Sequence, residues 1–154
     1  MIFELEDRHF APVYQRFPVA LVKGRSAVVW DAEGREYIDC MGGYGVAIVG
    51  HCNPKVVEAI KRQADVLITC HGSLYNDVRA ALLEKMVKIA PRGLDKVYLG
   101  NSGAEAVECA LKLTRKYTGR QEIVAMTGSY HGKTLGALSA TWSQKYREPY
   151  QPLI

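Results

Sequence analysis

Between residues 96 and 126 two short apolar runs flank one long amphipathic stretch, and this constrains the fold more than any other feature of the chain. Lys96-Val97-Tyr98-Leu99 reads as a short strand that passes through Gly100 into a helix expected over residues 103–117. Gly119 ends that helix, and Ile123-Val124-Ala125-Met126 reads as a second, buried strand. Two strands joined by such a crossover become parallel neighbours in a βαβ unit. The expected fold class is therefore α/β, with a mostly parallel sheet starting near residue 94.

Upstream the pattern differs. Residues 19–23, 27–30 and 35–39 read as short strands separated by Gly24 and the turn Asp31-Ala32-Glu33-Gly34, which suggests a small antiparallel meander. A glycine-rich loop, Gly42-Gly43-Tyr44-Gly45, leads to His51. Asn53-Pro54 then opens a helix, with Asn as cap and Pro at the first helical position, and Val57, Ile60 and Ala64 form its apolar stripe. A further helix over residues 77–89 is expected to face a core with Val78, Leu82, Met86 and Val87 or Ile89, and Pro91 and Gly93 stop it. The first eighteen residues read as irregular, interrupted by Pro12 and Pro18. Residues 1–93 are thus expected to form a small N-terminal segment with connecting helices, and residues 94–154 the start of a larger, incomplete domain.

Composition excludes several classes. With 154 residues, 48% apolar and 23% charged, the chain is globular and long enough to be expected to bury a real core. No run nears the length of a membrane span, and residues 1–8 are acidic, unlike a signal peptide, so a cytoplasmic address is expected. The net charge of +4 is mild, and the basic run over residues 112–120 reads as a solvated helix face rather than a nucleic-acid surface. Cys40, Cys52, Cys70 and Cys109 form no C-x-x-C pair. They read as small buried thiols, without disulfide or metal, although His51-Cys52 and Cys70-His71 stand adjacent.

Ser102-Gly103-Ala104-Glu105 has the form of a capping box, in which Ser accepts the N–H three residues on and Glu reaches back. Such a box needs no ligand. Its place at the carboxyl end of an expected parallel strand, however, is where open α/β sheets bind ligands. Gly100 and Gly103 clear the approach, and the free N–H groups and helix dipole favour an anion such as a phosphate monoester. A Walker loop is excluded: Gly132-Lys133-Thr134 has the right ending, but Gly128 lies one position too close. A dinucleotide fingerprint is excluded too, because Gly43-x-Gly45 continues only to Gly50.

The string Gly100-Asn-Ser-Gly-Ala-Glu-Ala-Val-Glu-Cys-Ala-Leu-Lys-Leu-Thr-Arg, followed by Ser129-Tyr130-His131-Gly132-Lys133-Thr134-Leu-Gly-Ala-Leu-Ser, strongly resembles class III aminotransferases. Trp30-Asp31, Tyr37-Ile38-Asp39 and Gly45-Val-Ala-Ile-Val-Gly-His51 resemble that family's N-terminal segment. The resemblance implies the N-terminal part of the pyridoxal-phosphate-dependent transferase fold type I, with pyridoxal 5'-phosphate as cofactor and a homodimer as the assembly. By position it implies that Ser102, Gly103 and Ala104 hold the cofactor phosphate and that Tyr130 stacks on its ring, with His131 beside it. Flat packing of that kind fixes the plane of the ring.

Lys133 matches a substrate-binding position where acetylornithine-type members generally carry Arg. A lysine attracts a carboxylate as a point charge but reads its geometry less well than a guanidinium. The run His131-Gly-Lys-Thr-Leu-Gly-Ala-Leu-Ser resembles putrescine aminotransferases. The segment from Ser139 to Leu153 and Glu-Ala-Val-Glu in the helix instead resemble aminotransferases of carrier-protein-dependent lysine and arginine biosynthesis. The implied reaction moves a terminal amino group of an ornithine- or lysine-type substrate to a 2-oxoglutarate-type acceptor. An acidic amino-group carrier protein is a further implied partner. In this family the Schiff-base lysine and the carboxylate facing the pyridinium nitrogen lie downstream of the matching segment. No catalytic residue is therefore expected in the chain, which by itself is expected to be an inactive N-terminal portion. A non-catalytic anion-binding module stands as the alternative.

Overall fold

Three strands form in the first half of the chain close to where the sequence pattern places them. In the computed structural model, which describes residues 1–153, β1 (Leu21–Arg25) pairs antiparallel with β2 (Val28–Asp31), and β2 pairs antiparallel with β3 (Glu36–Ile38). A bulge between Leu21 and Lys23 shifts the register of the first pair. The chain divides into two compact units, Met1–Leu74 and a second beginning at Tyr75.

The meander is held by a carboxylate. Asp31, only 1% exposed, accepts the backbone N–H groups of Glu33 and Arg35, the Arg35 Nε at 2.6 Å and the Tyr37 hydroxyl at 2.8 Å. Burial pushes its pKa up, but the Tyr37 and Arg35 hydrogen bonds and the guanidinium charge outweigh that and hold it at about 2. Ala20 and Val29 form the small apolar core beside it.

A second carboxylate organises the glycine-rich loop. Asp39 accepts the N–H groups of Met41, Gly42 and Gly43 and pairs with His51 Nε2 at 2.7 Å. The His51 hydrogen bond is the largest influence lowering its pKa; burial opposes it and the three N–H groups assist. The loop that presents these N–H groups runs through positive φ at Gly42, Gly43 and Gly45, which glycine adopts without steric cost. Tyr44 between them follows at φ 60, so the turn α2 (Gly42–Gly45) is left-handed. His51 also bridges Ser26 through mutual backbone hydrogen bonds, which closes the loop onto the β1–β2 turn.

The expected helices form, and Asn53 and Ser102 cap two of them as expected. Asn53 accepts from Lys55 N–H at the start of α3 (Pro54–Ala64), and Asn76 accepts from Arg79 N–H at the start of α4 (Asp77–Ile89). α5 (Gly103–Thr118) ends on left-handed Gly119. The irregular N-terminus expected from Pro12 and Pro18 is instead helical in part: α1 covers Ile2–His9, with Glu4 in its first turn and Arg8 and His9 in its last. Arg16 folds back to Asp7 at 2.9 Å and lies over the Phe10 ring.

Three further expectations are corrected. Residues 96–99 and 123–126 carry no ladder hydrogen bonds, and the only sheet among the described residues is the antiparallel meander. Val124 is 95% exposed and Met126 77%, so the expected buried strand is bare. A parallel strand owes its burial to neighbours on both edges and helices on both faces, and the described residues supply none. The core is correspondingly thin: among the described residues the buried apolar side chains are Ala20, Val29, Ala137 and Leu138. The stripe of α4 is exposed at Val78, Leu82, Val87 and Ile89, with Met86 half-buried. The expected buried thiols are corrected likewise: Cys40 and Cys52 are exposed, while Cys70 and Cys109 are half-buried.

Candidate active site

The first turn of α5 is the best-prepared anion site in the second unit. Ser102 stands in extended conformation as N-cap, and its Oγ accepts the Glu105 N–H at 3.2 Å. Glu105 returns the interaction one residue earlier than a standard capping box does: its carboxylate accepts from the Asn101 N–H rather than from Ser102 itself. Gly100 lies under the Glu105 side chain, where a Cβ would come within 3.3 Å of the Glu105 Cβ. Gly103 faces open space, and the Gly103 and Ala104 N–H groups have no protein acceptor among the described residues. Two aimed donors, an open approach and the positive end of a sixteen-residue helix suit a phosphate dianion.

The loop carrying the other expected site residues is bound tightly to this turn. A Cβ on Gly132 would stand 2.7 Å from the Ala104 Cβ and 2.9 Å from the Ala137 Cβ, so only glycine permits the contact. The loop is pinned from behind as well. His131 N–H donates to Thr141 Oγ1 at 3.0 Å, Ser129 Oγ donates to the Ala140 carbonyl, and Trp142 N–H donates to the Ser129 carbonyl. Thr141, 1% exposed, donates its own proton to the Ala137 carbonyl at 3.3 Å. The short helix α6 (Leu135–Ser139) thus packs on α5 through a small core of Ala137 and Leu138.

Ser102, Gly103 and Ala104 therefore form one turn, and Gly132 sets the loop bearing Tyr130, His131 and Lys133 against it. Tyr130 is 60% exposed, His131 half-buried and Lys133 exposed. The sequence reading passed over Glu108 and Thr141 as site-forming residues. Glu108 Oε1 accepts from Thr134 Oγ1 at 2.6 Å and from Ala137 N–H at 3.1 Å. The Thr134 hydrogen bond is the chief influence lowering its pKa; burial opposes it, and the Ala137 and Gly136 N–H groups and the Lys112 charge add to it. Its spacing from Glu105 was a usable signal, since i and i+3 share a helix face and both residues lie in the first two turns.

Comparison with solved structures places this fold. The chain superposes with a TM-score of 0.88 on the ornithine aminotransferase from Toxoplasma gondii ME49, at 32% identity, covering 99% of this chain and 38% of that one. The fold is that of the fold type I pyridoxal-phosphate-dependent enzymes, and the meander and helices here are one piece of it. Residues 9–154 match the aminotransferase class-III family. The chain is 50% identical over 151 residues to the acetylornithine aminotransferase of Methanopyrus kandleri, covering 98% of this chain and 39% of that protein. It is 47% identical over 145 residues to the [LysW]-aminoadipate semialdehyde transaminase of Deinococcus radiodurans, covering 94% of this chain and 34% of that protein. The chain belongs to the class III aminotransferases, a pyridoxal-phosphate-dependent enzyme family. It spans less than two fifths of the length of these relatives.

Proposed function

We propose that the protein containing this chain transfers a terminal amino group between an ornithine- or lysine-type substrate and a 2-oxoglutarate-type acceptor in amino-acid biosynthesis. The observation that carries this reading is the first turn of α5, with its two aimed N–H groups and the loop of residues 130–134 packed directly on it. In this reading Ser102, Gly103 and Ala104 hold the phosphate of pyridoxal 5'-phosphate. Tyr130 offers its exposed ring to the pyridine face, His131 borders that face, and Lys133 attracts an anionic group of the substrate. The bound cofactor supplies an electron sink and a temporary carrier for the amino group. This chain's residues bind and orient: the phosphate is anchored at one end and the ring plane fixed at the other.

The active protein is proposed to be a cytoplasmic homodimer. Residues 1–93 form its small-domain segment and connecting helices, and residues 94–154 open its cofactor-binding domain. The chain by itself is proposed to be inactive, without a lysine poised to hold the cofactor covalently. The names of the relatives above support the biosynthetic reading, including a substrate presented on an acidic amino-group carrier protein. A diamine substrate such as putrescine is a second reading, favoured by Lys133 in place of a guanidinium.

The test is amino transfer by the protein containing this chain, loaded with pyridoxal phosphate. N-acetylornithine, carrier-bound lysine and putrescine are compared as donors to 2-oxoglutarate. Turnover of either of the first two above putrescine is expected. Absence of transfer from all three removes the reading. Borohydride treatment of residues 1–154 with the cofactor is expected to leave no stoichiometric single-site adduct, and an adduct at Lys133 or Lys112 overturns the proposed inactivity.

A further inference from the structure

The Glu108 carboxylate joins a side-chain and a backbone donor that both lie more than twenty residues away. Thr134 occupies the N-cap position of α6, yet its side chain caps nothing there. It donates to Glu108 instead, and Glu108 accepts the N–H of Ala137, a first-turn donor of α6 that an N-cap side chain ordinarily satisfies. A Cβ on Gly136 would run into the carboxylate oxygens, so only glycine leaves room for Glu108 there. One helix thereby caps another from the side, with a charge-assisted bond at its centre.

We propose that Glu108 is a positioning residue that locks the loop of residues 130–134 to α5, so that the ring-stacking and phosphate-holding parts of the site move as one body. On α5 it stands less than two turns from Ser102. On the other side it grips Thr134, one residue beyond Lys133 and two beyond Gly132, which itself abuts Ala104. The loop thus has two attachments to α5, one apolar and one a charge-assisted hydrogen bond, and a third to Thr141 from behind. Steric contact at Gly132 prevents closer approach, and the carboxylate prevents separation. A ring stacked on Tyr130 keeps its distance from an anchored phosphate only while both restraints act. The role at the cofactor rests on the function proposed above; the restraint on the loop does not.

Two readouts in the protein containing this chain separate these statements. Without cofactor, hydrogen exchange at the amides of residues 131–134 is expected to quicken by roughly tenfold in Glu108→Ala and Thr134→Val, from loss of one charge-assisted bond. Thr134→Ser, which keeps the hydroxyl, is expected to stay within about twofold of wild type by the same criterion. Glu108→Gln should fall between, because its amide keeps one acceptor oxygen for Thr134 but loses the charge that strengthens the bond. With pyridoxal phosphate, the two disruptive variants are expected to release cofactor roughly tenfold faster and to lose at least about half of the induced circular dichroism of its visible band. A merely structural role lowers the melting temperature and leaves that dichroism per bound cofactor unchanged. Unchanged exchange in both Glu108→Ala and Thr134→Val overturns the lock. Quickened exchange with unchanged release and dichroism overturns its role at the cofactor. A wild-type protein that binds no pyridoxal phosphate overturns the proposed function, and the exchange experiment still decides the lock. If Glu108→Ala fails to fold, Thr134→Val carries the test, since its side chain is exposed and leaves both helices intact.

Discussion

Both units use a carboxylate to hold a loop, but over very different spans of chain. Asp31 gathers donors two, four and six residues away, and Asp39 gathers three within four residues and a fourth at His51, twelve away. Glu108 reaches donors 26 and 29 residues away. A local node closes a short loop at small entropic cost, so it forms wherever the turn residues permit it. The long-range node requires α5, the loop of residues 130–134 and α6 to be in place first. The meander is therefore a self-contained device, whereas the candidate site joins a local turn at residues 101–105 to a loop that only tertiary packing brings to it.

The largest expected effect breaks the long-range side of this comparison. Gly132→Ala puts a Cβ against Ala104 and Ala137 at a φ of 143 that L-residues rarely adopt. A destabilisation of about 2–4 kcal/mol is expected in chemical denaturation, together with loss of cofactor binding. The equivalent contact in the first unit, Gly50 against the Ser26 backbone, offers a control: Gly50→Ala should disturb the meander's signals and leave the amides of residues 131–134 unchanged.

Acid sharpens the local side. The folded pKa of Asp31 is about 2, below its ordinary 3.8, so its contribution to stability is present above the ordinary value. It is lost as pH falls from about 4 through 2. The Tyr37 and Trp30 fluorescence of the first unit should change over that window, and Asp31→Asn should abolish this component of the transition. Tyr37→Phe removes one of the Asp31 donors and should move the midpoint upward. A midpoint unchanged by both substitutions refutes the node as the cause.

Smaller effects belong to the caps. Ser102→Ala should cost about 1 kcal/mol of stability, from loss of the bond to Glu105 N–H, and should weaken phosphate binding relative to Ser102→Thr. Asn53→Ala, on a helix outside the candidate site, should cost about as much, again roughly 1 kcal/mol, without touching phosphate affinity. Equal effects of the two substitutions on phosphate binding remove the distinction between an anion cradle and an ordinary cap.

Much of the fold was legible because its determinants are local. Asn53-Pro54, Ser102 with Glu105, the Asp31-Ala32-Glu33-Gly34 turn and Gly119 each act within four residues, and the elements they start or stop appear within two or three residues of their expected bounds. α1 was not legible because no side chain caps its start and Pro12 and Pro18 break the periodicity just beyond it, leaving only the acidic start and basic end of residues 2–9 as a signal. The strands at residues 96–99 and 123–126 were read from an apolar pattern that records what neighbours will cover, and a ladder needs those neighbours present.

From the amino-acid order alone came α3, α4 and α5 with the caps Asn53 and Ser102, the antiparallel meander and the turn with two aimed N–H groups at residues 103 and 104, since backbone sterics and hydrogen bonding settle these within a few residues. Tertiary structure alone decided that Gly132 would sit against Ala104, that Thr141 would hold the loop from behind, and that Glu108 would cap a helix nearly thirty residues away. Contacts of that range depend on the packing of whole elements, and no short window of sequence contains both partners.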